Sequence, residues 1–128
     1  MTTKVCAVVV AFHPDQGFES RLIEVLPQIS ALVVVDNTPA EVRRHAIAMP
    51  AEDNKPVCLI ENTKNLGVAA ALNQGLKQAL EWNCSWLLTL DQDSHCYPDM
   101  VRTLLHVHAA CVPPAVVIGG NYLDTRNG

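Results

Sequence analysis

The stretch "WLLTLDQDSH", Trp86 to His95, is an apolar run that ends abruptly in two carboxylates one residue apart. The run reads as a strand covered on both faces, because a strand wetted on one side would alternate apolar and polar residues. Strands of that kind belong to parallel sheets, where ligands bind outside the carboxyl ends. Asp91 and Asp93 at such an end repel each other unless they share a proton or a cation, and a divalent metal is the simplest way to keep both ionised. Alone, D-x-D is also an ordinary way to finish a strand, since Asp and Ser side chains satisfy freed backbone groups.

Working outward, the same reading recurs along the chain. "VCAVVVAF" (Val5 to Phe12), "ALVVVDN" (Ala31 to Asn37) and "VCLIEN" (Val57 to Asn62) are further buried strands. Between the first two, Phe18, Leu22, Ile23 and Leu26 keep helical spacing up to Pro27, which stops the helix. The segment running to Met49 is expected to form a short helix. A longer one is expected from about Gly67 to Trp82, with Ala69, Leu72, Leu76, Ala79 and Leu80 at helical spacing and Asn65 as its cap. Pro98 opens another helix to about Cys111, and "AVVIGG" (Ala115 to Gly120) reads as a fifth strand. The order is βαβαβαβαβ, which implies one α/β domain with a mostly parallel sheet, right-handed crossovers and helices on both faces.

This topology gathers the strand ends on one edge. They carry His13 and Asp15, Asp36 and Asn37, Asn62 through Asn65, and Asp91 with Asp93, while the strand bodies are nearly free of polar residues. Each has a local explanation as a turn or cap residue, but their convergence from four strands has the form of a ligand crevice.

Composition narrows the partners. The 128 residues are 49% hydrophobic, enough for a real core, and the net charge of −4 with a pI near 5.6 argues against nucleic acid as a partner. No apolar stretch is long enough to span a bilayer. Five cysteines without C-x-x-C spacing (Cys6, Cys58, Cys84, Cys96, Cys111) read as reduced thiols of a cytoplasmic protein. Zinc is not expected, because His95-Cys96 and His106-Val107-His108 have no second ligand pair in support. The chain closes on Asn127-Gly128, a hairpin-turn sequence with no strand after it, so the fold is expected to continue beyond Gly128.

These residues resemble the family 2 glycosyltransferases, whose nucleotide-binding part has the Rossmann-like GT-A fold. "VVVAFHPD" is similar to that family's first strand and loop, "VVVDN" to its second strand, "NLGVAAALNQGL" to its N-x-G-x-x-x-A-x-N-x-G segment, and "LLTLDQDS" to its D-x-D motif. The Asp-Gln-Asp-Ser form and the His-Pro-Asp loop look most like the rhamnosyltransferase-like subgroup. The resemblance covers essentially the whole chain. It implies a nucleotide-sugar donor, dTDP-L-rhamnose or a UDP-sugar, and a saccharide or lipid-linked acceptor in cell-surface polysaccharide synthesis. The longer protein would work at the inner face of the membrane.

The resemblance also implies roles. Asp36 would accept the imide N–H of uracil or thymine, which cytosine lacks. Phe12 or His13 would flank the base. Asp91 would lie near the ribose or the metal, and Asp93 would hold Mg²⁺ or Mn²⁺ against the diphosphate, with Gln92 between them in the donor site. Lys64 would add positive charge near the diphosphate, Gly67 would let the backbone approach, and Asn65 and Asn73 would fix the loop and helix beside the nucleotide. The general base for inverting transfer is expected beyond Gly128, Asp124 being too close to the donor half, so residues 1–128 alone should bind a donor without transferring the sugar. Two rival readings are a haloacid-dehalogenase-like phosphatase, which would place D-x-D after the first strand, and a non-catalytic nucleotide-sugar-binding module.

Overall fold

The computed structural model describes residues 3–120. Four strands, β1 (Val5–Ala11), β2 (Ala31–Asp36), β3 (Val57–Glu61) and β4 (Trp86–Asp91), form one all-parallel sheet in the order β3-β2-β1-β4. The inner pair, β1 and β2, is almost wholly buried, whereas β3 and β4, expected to be buried as well, stand at the two ends of the described sheet and are only half-buried, because each has a neighbouring strand on one side alone.

The alternation of side chains along the strands divides the core. Val5, Ala7 and Val9 of β1, with Leu32 and Val34 of β2, pack against α1 (Phe18–Val25) and α3 (Met100–Ala110). Cys6, Val8, Val33 and Val35 face the other way, onto Ala71 and Ala79 of α2 (Val68–Glu81). Helices therefore cover both faces, and the α/β fold class anticipated from the sequence is observed. Among the described residues no helix is long and apolar enough to cross a membrane.

Two expected elements are absent. Residues 37–56 contain two isolated turns, one in which the Val42 and Arg43 N–H groups both donate to the Pro39 carbonyl and one in which Lys55 N–H donates to the Glu52 carbonyl, and are otherwise irregular up to β3. Their anchors are tertiary: Ile47 is buried on the α1 face with Met49 packed beside it, and Ala48 N–H donates to Glu19 Oε1 at 2.8 Å. The fifth strand over Ala115–Gly120 does not form either. Val116 and Val117 are 88% and 83% exposed, and without a neighbouring ladder an apolar run has no partner for its backbone. The observed order is βαββαβα. Asp124 and the Asn127-Gly128 turn lie outside the described residues.

Candidate functional site

The register brings the strand ends level. Ala11 pairs with Asp36, Asp36 with Glu61, and Val10 with Asp91, so the loops after all four strands open on one edge. The chain goes from β1 to β2 to β3 in one direction and then returns to place β4 on the other side of β1. This reversal is a topological switch point, and ligand crevices of parallel sheets form there because the two loops leave in opposite directions. Phe12 and His13 stand on one side of it, Asp91 to Asp93 on the other.

The aromatic side is shaped by a backbone kink. His13 adopts φ 45°, an uncommon left-handed conformation, and its N–H donates to Thr38 Oγ1 at 2.8 Å. The Phe12 and His13 rings meet edge to face at 4.4 Å, and Phe12 is 45% exposed, so an apolar surface is left facing solvent at the crevice. Across the switch point, Ser94 N–H donates to the Asp91 carbonyl at 3.0 Å and closes a tight turn. The turn displays Asp91 and Asp93, both exposed, and among the described residues neither carboxylate has an ion-pair or hydrogen-bond partner. No group of three or more His, Cys, Asp or Glu side chains is gathered for a metal among the described residues. A hard cation held by one or two carboxylates, with phosphate oxygens and water completing its shell, fits this donor set, whereas an all-protein metal cage does not.

Gln92, between the aspartates, points back at β1. Its Oε1 accepts Phe12 N–H at 2.8 Å and its Nε2 donates to the Phe12 carbonyl at 3.1 Å. The Gln92 carbonyl accepts from Arg21 Nε at 2.9 Å, while Arg21 Nη2 bonds Asp15 Oδ1 at 2.6 Å. The Arg21 hydrogen bond holds the exposed Asp15 carboxyl below the ordinary carboxylate range.

Asp36 occupies a different environment. It is 1% exposed, its Oδ1 accepts Thr38 N–H at 2.9 Å, and its Oδ2 lies 3.2 Å from Arg43 Nε. Arg43 Nη2 also donates to the Thr38 and Asn62 carbonyls, both at 2.6 Å, and Nη1 is 3.6 Å from Glu61. Beneath this lies an amide relay: Asn62 Nδ2 donates to Asn37 Oδ1 at 2.8 Å and to Gln74 Oε1 at 2.9 Å, Gln74 Nε2 returns a bond to Asn62 Oδ1, and Asn37 Nδ2 donates to the Gly67 carbonyl at 3.0 Å. The ends of β2 and β3 are thereby tied to the start of α2.

At that start Gly67 has φ 85°, which only glycine adopts without strain, and the space beside its Cα is open. Asn65 is not the helix cap. Its Oδ1 accepts Gly67 N–H at 2.9 Å, closing a turn one step earlier, and Gly67 itself occupies the capping position without a side-chain bond. Lys64 is exposed beside this turn and has no ion-pair partner among the described residues. Asn73 is exposed, opposite the buried Ala71 and Gly75, and the structure does not bring it into the crevice. Its neighbour Gln74 takes the inward role instead.

The sequence reading missed Arg43, Arg21, Thr38 and Gln74. Arg43 lies in a loop with neither period nor motif; Gln74 could have been found, since it shares a helix face with the apolar residues that pack on the sheet.

A profile of glycosyl transferase family 2 matches residues 21–126. The chain belongs to this family. It is also 29% identical over 105 residues to dTDP-rhamnosyl transferase RfbF of Shigella flexneri, an alignment covering 81% of this chain and 34% of the relative. The chain thus spans about a third of the length of that relative. Membership removes the ground for reading the chain as a phosphatase.

Proposed function

We propose that this chain forms the donor site of a glycosyltransferase, binding a pyrimidine nucleotide-sugar across the β1/β4 switch point. The observation that carries the reading is the pair of exposed carboxylates, Asp91 and Asp93, which have no partner among the described residues and stand across the switch point from an exposed aromatic surface. Two fixed negative charges and an apolar ledge are what a metal-bound diphosphate and a base require. The diphosphate of a sugar donor is the leaving group, and Mg²⁺ or Mn²⁺ would neutralise its charge. Lys64 and the first-turn N–H groups of α2 lie on the same edge and favour anions. The donor is dTDP-L-rhamnose or a UDP-sugar, whose sugar passes with inversion to a saccharide or lipid-linked acceptor; the name of the Shigella relative, a dTDP-rhamnosyl transferase, supports the rhamnosyl choice.

Asp36 reads the imide N–H of thymine or uracil in this proposal. A carboxylate has about four acceptor sites. Those of Asp36 are partly taken by Thr38 and covered by Arg43, so base contact asks the Arg43 side chain to shift. Calorimetry of dTDP and CDP with Mn²⁺ and with a chelator tests both ends. Mn²⁺ should tighten dTDP binding, Asp93→Asn should remove most of that gain, and Asp36→Ala should erase most of the preference for dTDP over CDP, about 1.5 to 3 kcal/mol for a charged hydrogen bond. Equal affinity with and without metal would eliminate the metal role, and equal affinity for the two bases the role of Asp36.

A further inference from the structure

We infer that Gln92 is a positioning residue that joins the two ends of the crevice into one unit, setting the Phe12–His13 loop and the Asp91–Asp93 turn by the same pair of hydrogen bonds. The inference rests on the nucleotide-sugar reading and adds a residue whose amide is spent on the protein rather than on the donor. The β1–β4 ladder ends at Val10 and Asp91, after which the β4 chain turns away and leaves the Phe12 N–H and C=O without a strand beside them. The Gln92 side chain supplies both missing groups, at 2.8 and 3.1 Å, across 80 residues of sequence. A carboxamide is chemically a peptide group, with one acceptor and a donor side by side, so it extends the ladder by one step where the backbone cannot.

With Gln92 turned inward, its two neighbours project the other way, which accounts for the exposure of Asp91 and Asp93 on either side of a half-buried residue. The turn is clamped from behind as well. Arg21, 11% exposed, holds the Gln92 carbonyl and Asp15 together, so the loop after β1 and the turn after β4 share a second link. A shift of either end is therefore transmitted to the other, and the aromatic ledge and the carboxylates keep one relative placement. Residue types other than glutamine fail for stated reasons: glutamate keeps the acceptor but turns the donor into a charge facing the Phe12 carbonyl, and leucine keeps the shape and loses both bonds.

The test uses two ratios and one ligand-free observable. The metal gain is the dTDP dissociation constant in chelator divided by that in Mn²⁺; the base preference is the CDP constant divided by the dTDP constant in chelator. Asp93→Asn should lower only the first and Asp36→Ala only the second, whereas Gln92→Leu, which removes the two bonds to Phe12, should lower both, by about three- to tenfold each. Hydrogen exchange of the Phe12 amide should be slow in the wild type and fast in Gln92→Leu. Gln92→Glu retains the acceptor, so it should keep Phe12 protected and give intermediate ratios; it carries the same test if the leucine variant does not fold. A wild type with both ratios above one and a Gln92→Leu variant that leaves either unchanged would overturn the inference alone. A wild type with neither ratio above one would overturn the nucleotide reading and the inference with it, and a fast-exchanging Phe12 amide in the wild type would remove the inference whatever the ligand does.

Discussion

Replacing Arg43 by alanine would strip the partner from Asp36 Oδ2 and the donors from the Thr38 and Asn62 carbonyls in a single step. Asp36 is buried and would keep only the Thr38 N–H on Oδ1, and breaking a buried pair costs about 3 to 5 kcal/mol. Arg43 retains some exposure, which places the expected loss near the lower end; denaturant unfolding of Arg43→Ala measures it, and stability equal to wild type would show that Asp36 does not depend on this partner. Arg43→Lys keeps the charge but cannot span Thr38 and Asn62 with one planar fork, and should lie between the two. At this scale the strand-end positions of Asp36 and Asp91, and of Asp93 in the turn after β4, were legible because an apolar run stops there. Arg43 was not, because an irregular loop carries no period from which a contact seven residues back could be read. The cysteines follow the same division. Burial pushes the Cys6 thiol up to about 12 and raises those of Cys84 and Cys96, as their places in or beside apolar runs suggest, yet only Cys6 is fully buried.

Gly75 shows how an element is seated. It lies on the face of α2 that packs on β1, and a Cβ there would come within 2.3 Å of Val8 Cγ1. Alanine is the better helix former by about 1 kcal/mol, but overpacking a rigid core position costs about 1 to 3 kcal/mol, and Val8 on a central strand has no room to retreat. Gly75→Ala should therefore destabilise, and the added change Val8→Ala should reduce the loss. Thermal or denaturant melts of the single and double variants decide it; a stabilised Gly75→Ala would mean that α2 can ride up from the sheet. The existence of α2 was legible from its spacing of Leu72, Leu76, Ala79 and Leu80, to within a residue at each end. Its cap was not: Asn65 has the right chemistry, but the left-handed Gly67 moves the helix start beyond its reach. The helix expected before Met49 failed for the opposite reason, since Ile47 and Met49 found burial on the α1 face without needing helical backbone.

At the largest scale, the four parallel strands and three α-helices of the described residues place the candidate groups at the strand ends and at the start of α2 on one edge, leave Asn73 away from it, and set the segment after α3 apart from that order. Val112, Val116 and Val117 are 94%, 88% and 83% exposed, so limited proteolysis with an enzyme of broad apolar preference should cut between Val112 and Val117 before it cuts any strand. A first cleavage inside β4 would contradict the described fold. Local pattern was enough to mark the four strands that form, to put helices on both faces and to collect polar residues at the strand ends, while it also marked a fifth strand over Ala115–Gly120 that does not form. These follow from how each side chain partitions between water and a core, which a local period records. The tertiary arrangement was needed to show that β4 lies beside β1, that Gln92 completes the ladder for Phe12, that Arg43 covers Asp36, and that "AVVIGG" joins no strand among the described residues. Each of these depends on a hydrogen-bonding partner far away in the chain, and a backbone group carries no mark of which distant group will satisfy it.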